Sequence, residues 1–323
     1  MRKFLLPFLL ILSGWFVACR ETPQPHPAAA EATSASADLV LALTPTMESL
    51  PFYYAAETGI FQKHHLQVKV QHFGAQFDAD TALLGTTAQA GITDMARVAY
   101  HDRKQKKLVA LMGTQGDWKL IANAGARINK AEQLGKRLVG TARYSASDYY
   151  FADALRKTKL SYDDCFHPQV NDYSIRLQML MQRQIDAAIL PEPFATKAIQ
   201  TGHTLLYDTQ KSGTPMIGCL AANRKFLTEK KGRERLQQLL LCYNEAVAQL
   251  NKNGASACQE ILIRYYGLDE ATAALVKLPQ YQPASPISEA VLSATKKYLD
   301  ERNLSGITND KTTLTDFSLL PQK

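Results

Sequence analysis

The chain has 323 residues, 46% of them hydrophobic and 21% charged, with a formal net charge of +7. This length allows two domains of ordinary size around their own cores, and the composition is that of a globular soluble protein. The basic residues are scattered apart from short runs at Arg103-Lys104-Lys106-Lys107 and Lys230-Lys231-Arg233. Without interleaved aromatics such runs are solvated faces, which excludes a nucleic-acid platform.

Arg2 and Lys3 precede an apolar run from Phe4 to Ala18, and Cys19 follows it. A charged start, an apolar core and small residues before a cysteine form a secretory signal, short of the roughly 20 residues a spanning helix needs. Phe16-Val17-Ala18-Cys19 resembles a bacterial lipoprotein processing box, with Phe16 where Leu, Val or Ile is usual. The resemblance implies that residues 1–18 are removed and Cys19 is acylated, tethering the chain at roughly 0.8 kcal/mol per buried CH₂. An ordinary signal with a chance cysteine, or an uncut anchor, is the alternative. Residues 19–37 are small, polar and proline-rich and read as a flexible tether.

From Asp38 strand and helix patterns alternate. Leu39-Val40-Leu41-Ala42-Leu43 is a continuous apolar strand of the kind covered on both faces. A helix over 52–58 stops at Gly59. A strand over 68–73, a helix over 80–84, a strand over 90–93, a helix over 95–100 and a strand over 108–112 follow. Strands separated by helix-length segments predict a parallel sheet with right-handed crossovers. A second unit repeats the pattern: strand 138–140, helix 148–157 capped by Ser145 or Ser147, helix 175–182, strand 187–190, helix 194–200 and strand 205–207. Residues 215–222 re-enter the first unit. The last third is helical. Leu236, Leu239, Leu240, Tyr243, Ala246, Val247 and Leu250 share one face of a helix over 235–250 that ends at Gly254. Ser256 with Gln259 reads as a capping box, and Ser285-Pro286 opens a helix to about 300. Of the later cysteines (Cys165, Cys219, Cys242 and Cys258) none forms a CxxC pair, and no two-bridge framework is expected. Cys242 reads as a core thiol.

Three segments carry a family resemblance by their order and spacing. They are Pro51-Phe52-Tyr53-Tyr54-Ala55-Ala56-Glu57-Thr58-Gly59-Ile60-Phe61, then Ala90-Gly91-Ile92-Thr93-Asp94, then Gln184-Ile185-Asp186-Ala187-Ala188-Ile189-Leu190-Pro191-Glu192-Pro193-Phe194-Ala195. Over roughly residues 38–225 this order resembles the solute-binding proteins of ABC importers for sulfonate, taurine, nitrate and thiamine precursors, with Gln184 where the family often has Gly. The resemblance implies the α/β fold of a two-lobed type II periplasmic binding protein with two crossovers and a helical C-terminal tail. Lobe I is expected at 38–123 and 212–323, lobe II at 124–211. It further implies a small solute held in the interlobe cleft, a permease and, through it, an ATPase as partners, a monomer without cofactor or metal, and a place in the cell envelope facing the periplasm or exterior.

In open α/β sheets ligands sit at the carboxyl ends of strands, where helix N-termini present free N–H groups. Five loops follow from this rule. Thr46, Met47, Glu48 and Ser49 follow the first strand and also suit a helix start. Gln76 follows the second strand. Thr93 and Asp94 follow the third, with Asp94 as a helix cap. Gln115 and Trp118 lie near the first crossover, and Trp118 suits either stacking on a solute or core burial. Arg143, Ser145 and Ser147 open a second-lobe helix and form an anion cradle, where Arg143 supplies a bidentate charge-assisted pair; its plain alternative is a solvated arginine. Glu192 begins another helix as cap or cleft wall.

The histidines lack zincin spacing, and neither a G-x-S-x-G elbow nor a phosphate loop is present. The leading function is solute capture for an importer, without chemistry. One alternative is a thiamine-pyrimidine-synthase-like enzyme, which the resemblance links to lysine-bound pyridoxal phosphate, a histidine, iron and a cysteine-rich motif; only Lys63-His64 echoes it. The other is a sensory lipoprotein that retains the binding fold.

Overall fold

The computed structural model describes residues 37–105, 107–304 and 314–321, with the side chains of 103–105 left out; the expected signal at 1–18, Cys19 and the tether through residue 36 lie outside the described residues. The first half contains β1 (Leu39–Leu43), α1 (Leu50–Glu57), α2 (Ile60–Lys63), β2 (Val68–His72), α3 (Gln76–Leu84), β3 (Ala90–Asp94), α4 (Met95–Gln105), β4 (Leu108–Gly113), β5 (Trp118–Ala122), β6 (Val139–Gly140) and α5 (Ala146–Leu155). After it come α6 (Tyr173–Met181), β7 (Ala187–Pro191), α7 (Phe194–Gln200), β8 (Thr204–Asp208), α8 (Thr209–Ser212) and β9 (Gly218–Asn223). The helical remainder is α9 (Arg224–Thr228), α10 (Lys230–Asn253), α11 (Gln259–Tyr266), α12 (Glu270–Leu275) and α13 (Glu289–Glu301).

Two sheets organise these elements, one ordered β2-β1-β3-β9-β4 and the other β6-β7-β5-β8. The α/β architecture is as expected, but neither sheet is purely parallel. β1 runs parallel to β2 and β3, whereas β9 is antiparallel to both β3 and β4. The cause is connectivity: β9 returns from the second sheet and inserts between strands already laid down. In the second sheet β5 is antiparallel to β7 and β8, and only β6 with β7 is parallel. The expected lobe boundary at 123 falls after β5, whose backbone pairs within the second sheet. The first connection between sheets is therefore at 114–117, and the second at 209–217.

Side-chain alternation along the first sheet's strands explains its two-sided burial. Leu39, Leu41, Leu43, Ile92, Leu111 and Leu220 pack on one face with α1 and α10, while Ala42, Leu108, Ala110 and Ala221 face α3 and α4. The long helix α10 buries the stripe read from its sequence and ends at Gly254, whose φ of 71° leaves the helical region. It begins earlier than predicted, at Lys230. Ser288, not Ser285, caps α13, its hydroxyl accepting from Val291 N. Ser256 lies inside a short 3₁₀ turn, so the predicted capping box does not open α11.

The four described cysteines are free thiols, all buried. Burial pushes Cys165 up to about 11. None of the described helices is long and apolar enough to cross a membrane. Both sheets belong to one compact body, Ser36–Lys323.

Candidate functional site

The carboxyl ends of β1, β2, β3 and β6 and the amino ends of the antiparallel strands β5 and β9 meet around a cavity lined from both sheets. Its walls are Thr46, Glu48, Gln76, Ile92, Thr93, Asp94 and Gly218 from the first sheet's side, and Trp118, Ala142, Ser145, Ala146, Ser147, Asn171, Tyr173 and Arg176 from the second's. Its volume is about 20 Å³, where one water needs about 10–15 Å³. A solute of several heavy atoms fits only when the walls part.

A buried polar cluster supports this cavity. Asp80, which is 1% exposed, accepts from Gln76 Nε2 and Thr93 Oγ1, each at 2.9 Å, and pairs with Arg97 Nη1 at 3.0 Å. Gln76 also donates to the Ile92 carbonyl, which fixes the start of α3 against β3. These side chains come from α3, β3 and α4, all held by the first sheet. The predicted residues Gln76 and Thr93 are thus part of a rigid hydrogen-bonded wall.

Asp94 terminates two helices at once. Its Oδ1 accepts from Arg97 N at 2.9 Å, capping α4 as predicted. Its Oδ2 accepts from Ala146 N at 2.9 Å, the first residue of α5 in the other sheet's layer. The serines expected to offer hydroxyls there are committed locally. Ser145 Oγ donates to the Ala142 carbonyl at 2.6 Å, and Ser147 Oγ accepts from Ala142 N at 2.9 Å.

Glu48 is held by close backbone approach. A Cβ on Gly116 would stand 2.1 Å from Glu48 Oε1, and one on Gly218 would stand 3.2 Å from Glu48 Cγ. Glycine at both positions leaves room for the carboxyl. Trp118 Nε1 donates to Oε1 at 3.0 Å, while Glu48 Oε2 and the Thr46 hydroxyl are buried without a hydrogen-bond partner. Tyr266 and Tyr281 donate to the Thr46 and Met47 carbonyls and clamp this loop from the helical third. Trp118 is both buried and in the cavity wall, packed edge-on to Tyr173 with centroids 5.8 Å apart. Burial raises the Glu48 pKa, opposed by the Trp118 indole, the residue's own amide and the nearby Thr46 hydroxyl.

Of the predicted residues, Thr46, Glu48, Gln76, Thr93, Asp94, Trp118, Ser145 and Ser147 converge on the cavity. Five are placed elsewhere. Met47 sits in the apolar core with Tyr281. Ser49 is the residue before α1, buried, with its hydroxyl unpartnered. Gln115 Oε1 accepts from Tyr243 Oη and Gln282 N. Arg143 is exposed to solvent, so the guanidinium of the expected cradle does not reach the cavity. Glu192 pairs with Lys119 at 2.7 Å and accepts from Thr196 N, capping α7. Lys63 and His64 pair with Glu245 outside the cavity.

Sequence reasoning missed Asn171, Tyr173 and above all Arg176. Arg176 is fully buried and donates to the Val170 and Ile189 carbonyls. Burial lowers its pKa to about 10. No sequence signal marks it, because it lies mid-helix in α6 and only the tertiary fold brings it beneath β7.

The carboxyls of this region tie stability to pH. Burial raises Asp94 from 3.8 to about 6, against Arg97 and two backbone N–H donors. A carboxyl whose folded pKa is raised binds its proton more tightly in the folded state. Its contribution is therefore most favourable when protonated and declines as pH rises from about 4 through about 6. Between pH 5 and 7 the loss is about 1 kcal/mol for this one group. Asp94→Asn should lose correspondingly less over that interval in paired denaturant titrations. Parallel pH profiles for the two proteins would contradict the raised pKa.

The family described as NMT1/THI5 like matches residues 46–259, more than half of the chain. No curated protein matches the sequence significantly. Among solved structures, the alkanesulfonate-binding protein SsuA from Xanthomonas axonopodis pv. citri, bound to MOPS, is 16% identical with a TM-score of 0.70, covering 84% of this chain and 94% of its own. The periplasmic nitrate-binding protein NrtA from Synechocystis PCC 6803 is 11% identical with a TM-score of 0.68, covering 87% and 86%. The desulfurization enzyme DSZB is 12% identical with a TM-score of 0.59, covering 82% and 92%. At these identities the likeness establishes the periplasmic-binding-protein fold alone. With the family match over residues 46–259, the chain belongs to the NMT1/THI5-like family.

Proposed function

We propose that the protein captures a small solute between its two sheets and passes it, unaltered, to the permease of an ABC importer. The observation that carries this reading is the cavity at the strand ends, where Glu48 Oε2 and the Thr46 hydroxyl are buried without partners. Buried polar groups left unsatisfied cost about 1–3 kcal/mol each, and a solute that bonds them recovers that cost. The described solute-binding structures with this fold support the reading, as does the family match.

In this mechanism the sheets with their helices are the two lobes, and residues 114–117 and 209–217 are the hinge. Opening separates Asp94 from the start of α5 and Trp118 from Glu48. Solute enters, contacts both walls and favours the closed form by its differential affinity for that form. Acylation of Cys19 would hold this monomer at the envelope membrane, facing the periplasm or exterior, within reach of the permease and its ATPase. The fold also serves an enzyme, DSZB. Against the pyridoxal-phosphate alternative, the lining described above contains no lysine, and Lys63 is on the surface.

The test uses the chain lacking residues 1–18, in which Trp118 is the sole tryptophan. A small-solute panel of sulfonates, nitrate, pyrimidines and amino acids should contain a compound that shifts Trp118 fluorescence. At a hundred times its dissociation constant it should stabilise the protein by about 2.7 kcal/mol. Mass spectrometry should recover it unchanged; recovery of a converted product would establish an enzyme instead.

A further inference from the structure

The start of α5 is the natural place for an oxyanion in this cavity, since its free N–H groups and dipole favour negative charge. In this chain the first of those N–H groups is taken. Asp94 Oδ2 accepts from Ala146 N at 2.9 Å, and the adjoining serine hydroxyls bond the Ala142 backbone. The arginine nearest in sequence, Arg143, is exposed. Arg97 is neutralised by Asp80, and Arg176 donates to the carbonyls of Val170 and Ile189. Across the cavity Glu48 offers an unpartnered carboxyl oxygen beside an unpartnered Thr46 hydroxyl, both in residues at least nine-tenths buried. The lining thus carries two carboxylates, Glu48 and Asp94, against the single guanidinium of Arg176.

Resting on the solute-binding reading, we propose that Asp94 is a selectivity residue: it occupies the anion position at α5, so the cavity takes a solute presenting hydrogen-bond donors or a positively charged nitrogen to Glu48 and turns away sulfonate-like oxyanions. An oxyanion entering the cavity meets the Asp94 carboxylate at the N–H group it would bond. A donor-bearing solute meets acceptors already desolvated and oriented, so it gives up little ordering on binding.

Methanesulfonate and acetamidinium serve as probes of similar size, titrated against Trp118 fluorescence and by calorimetry in the chain lacking residues 1–18. The wild type should bind acetamidinium at least tenfold more tightly than methanesulfonate. Asp94→Ser frees the α5 N–H group, and Asp94→Asn removes the charge at unchanged size. Either should tighten methanesulfonate at least tenfold, a gain that structural damage alone would not produce. Glu48→Gln should weaken acetamidinium at least tenfold. Methanesulfonate binding the wild type as tightly as either Asp94 variant would overturn the selectivity proposal and leave solute binding intact. If no solute of either charge perturbs Trp118 in any of these proteins, the solute-binding reading fails and this proposal with it.

Discussion

Asp80→Ala should destabilise the protein by about 3–5 kcal/mol, the range for breaking a buried ion pair from one side. Asp80 and Arg97 are both within the wall of the first sheet, with side chains 2% and 6% exposed. Removing the carboxylate leaves the Arg97 guanidinium without its 3.0 Å partner and strips Gln76 Nε2 and Thr93 Oγ1 of an acceptor. A double change, Asp80→Ala with Arg97→Met, should recover much of the loss, because the uncompensated charge goes with it. Urea unfolding of the single and double variants measures both quantities. A single-variant loss below about 1 kcal/mol would mean that the pair contributes no more than a surface one.

Asp148→Ala should cost about 3 kcal/mol through orphaned hydroxyls. Asp148 lies in the first turn of α5 and receives hydrogen bonds from Tyr162 Oη, Tyr298 Oη at 2.6 Å and Tyr144 N at 3.3 Å. Arg302 Nε is 3.9 Å away, its guanidinium stacked 3.2 Å above the Tyr162 ring. Tyr298 projects from α13 and is fully buried. The carboxylate therefore joins the last described helix to the helix that forms one wall of the cavity. Tyr298→Phe removes one donor and leaves Asp148 with its others, so it should cost less. The double variant should cost less than the sum of the singles, since the orphaned tyrosine hydroxyl is gone. Strict additivity in denaturant melts would show that the two side chains do not couple.

Elements with strong local patterns were legible in the sequence. The continuous apolar run of β1 and the stripe of α10 carry their burial in their spacing, and helix stops at Gly59 and Gly254 follow from backbone freedom at those positions. β5 has no clear strand signature, because Trp118-Lys119-Leu120-Ile121-Ala122 follows a polar loop and carries a lysine. Lys119 is buried there only because Asp117 and Glu192 both pair with it. The antiparallel insertion of β9 is a property of the whole chain path and has no local signature. At the site, the rule that strand ends face the cavity picks out Thr46, Glu48, Thr93 and Asp94, since those positions lie at or just beyond the carboxyl ends of β1 and β3. Arg143 and Arg176 show where the rule stops. Arg143 precedes α5 and is exposed, whereas Arg176 lies within α6 and is held inward by the Ile189 carbonyl of β7.

The contact between Trp118 and Glu48 joins a strand of one sheet to a loop of the other. Its carboxyl has an elevated proton affinity because water is kept from it. Parting the walls would readmit water and return that affinity toward the ordinary carboxylate range. In the proposed clamp, opening would thus lower the proton affinity of this carboxyl, and the acidity of the surrounding compartment would become a thermodynamic weight on how wide the molecule stands.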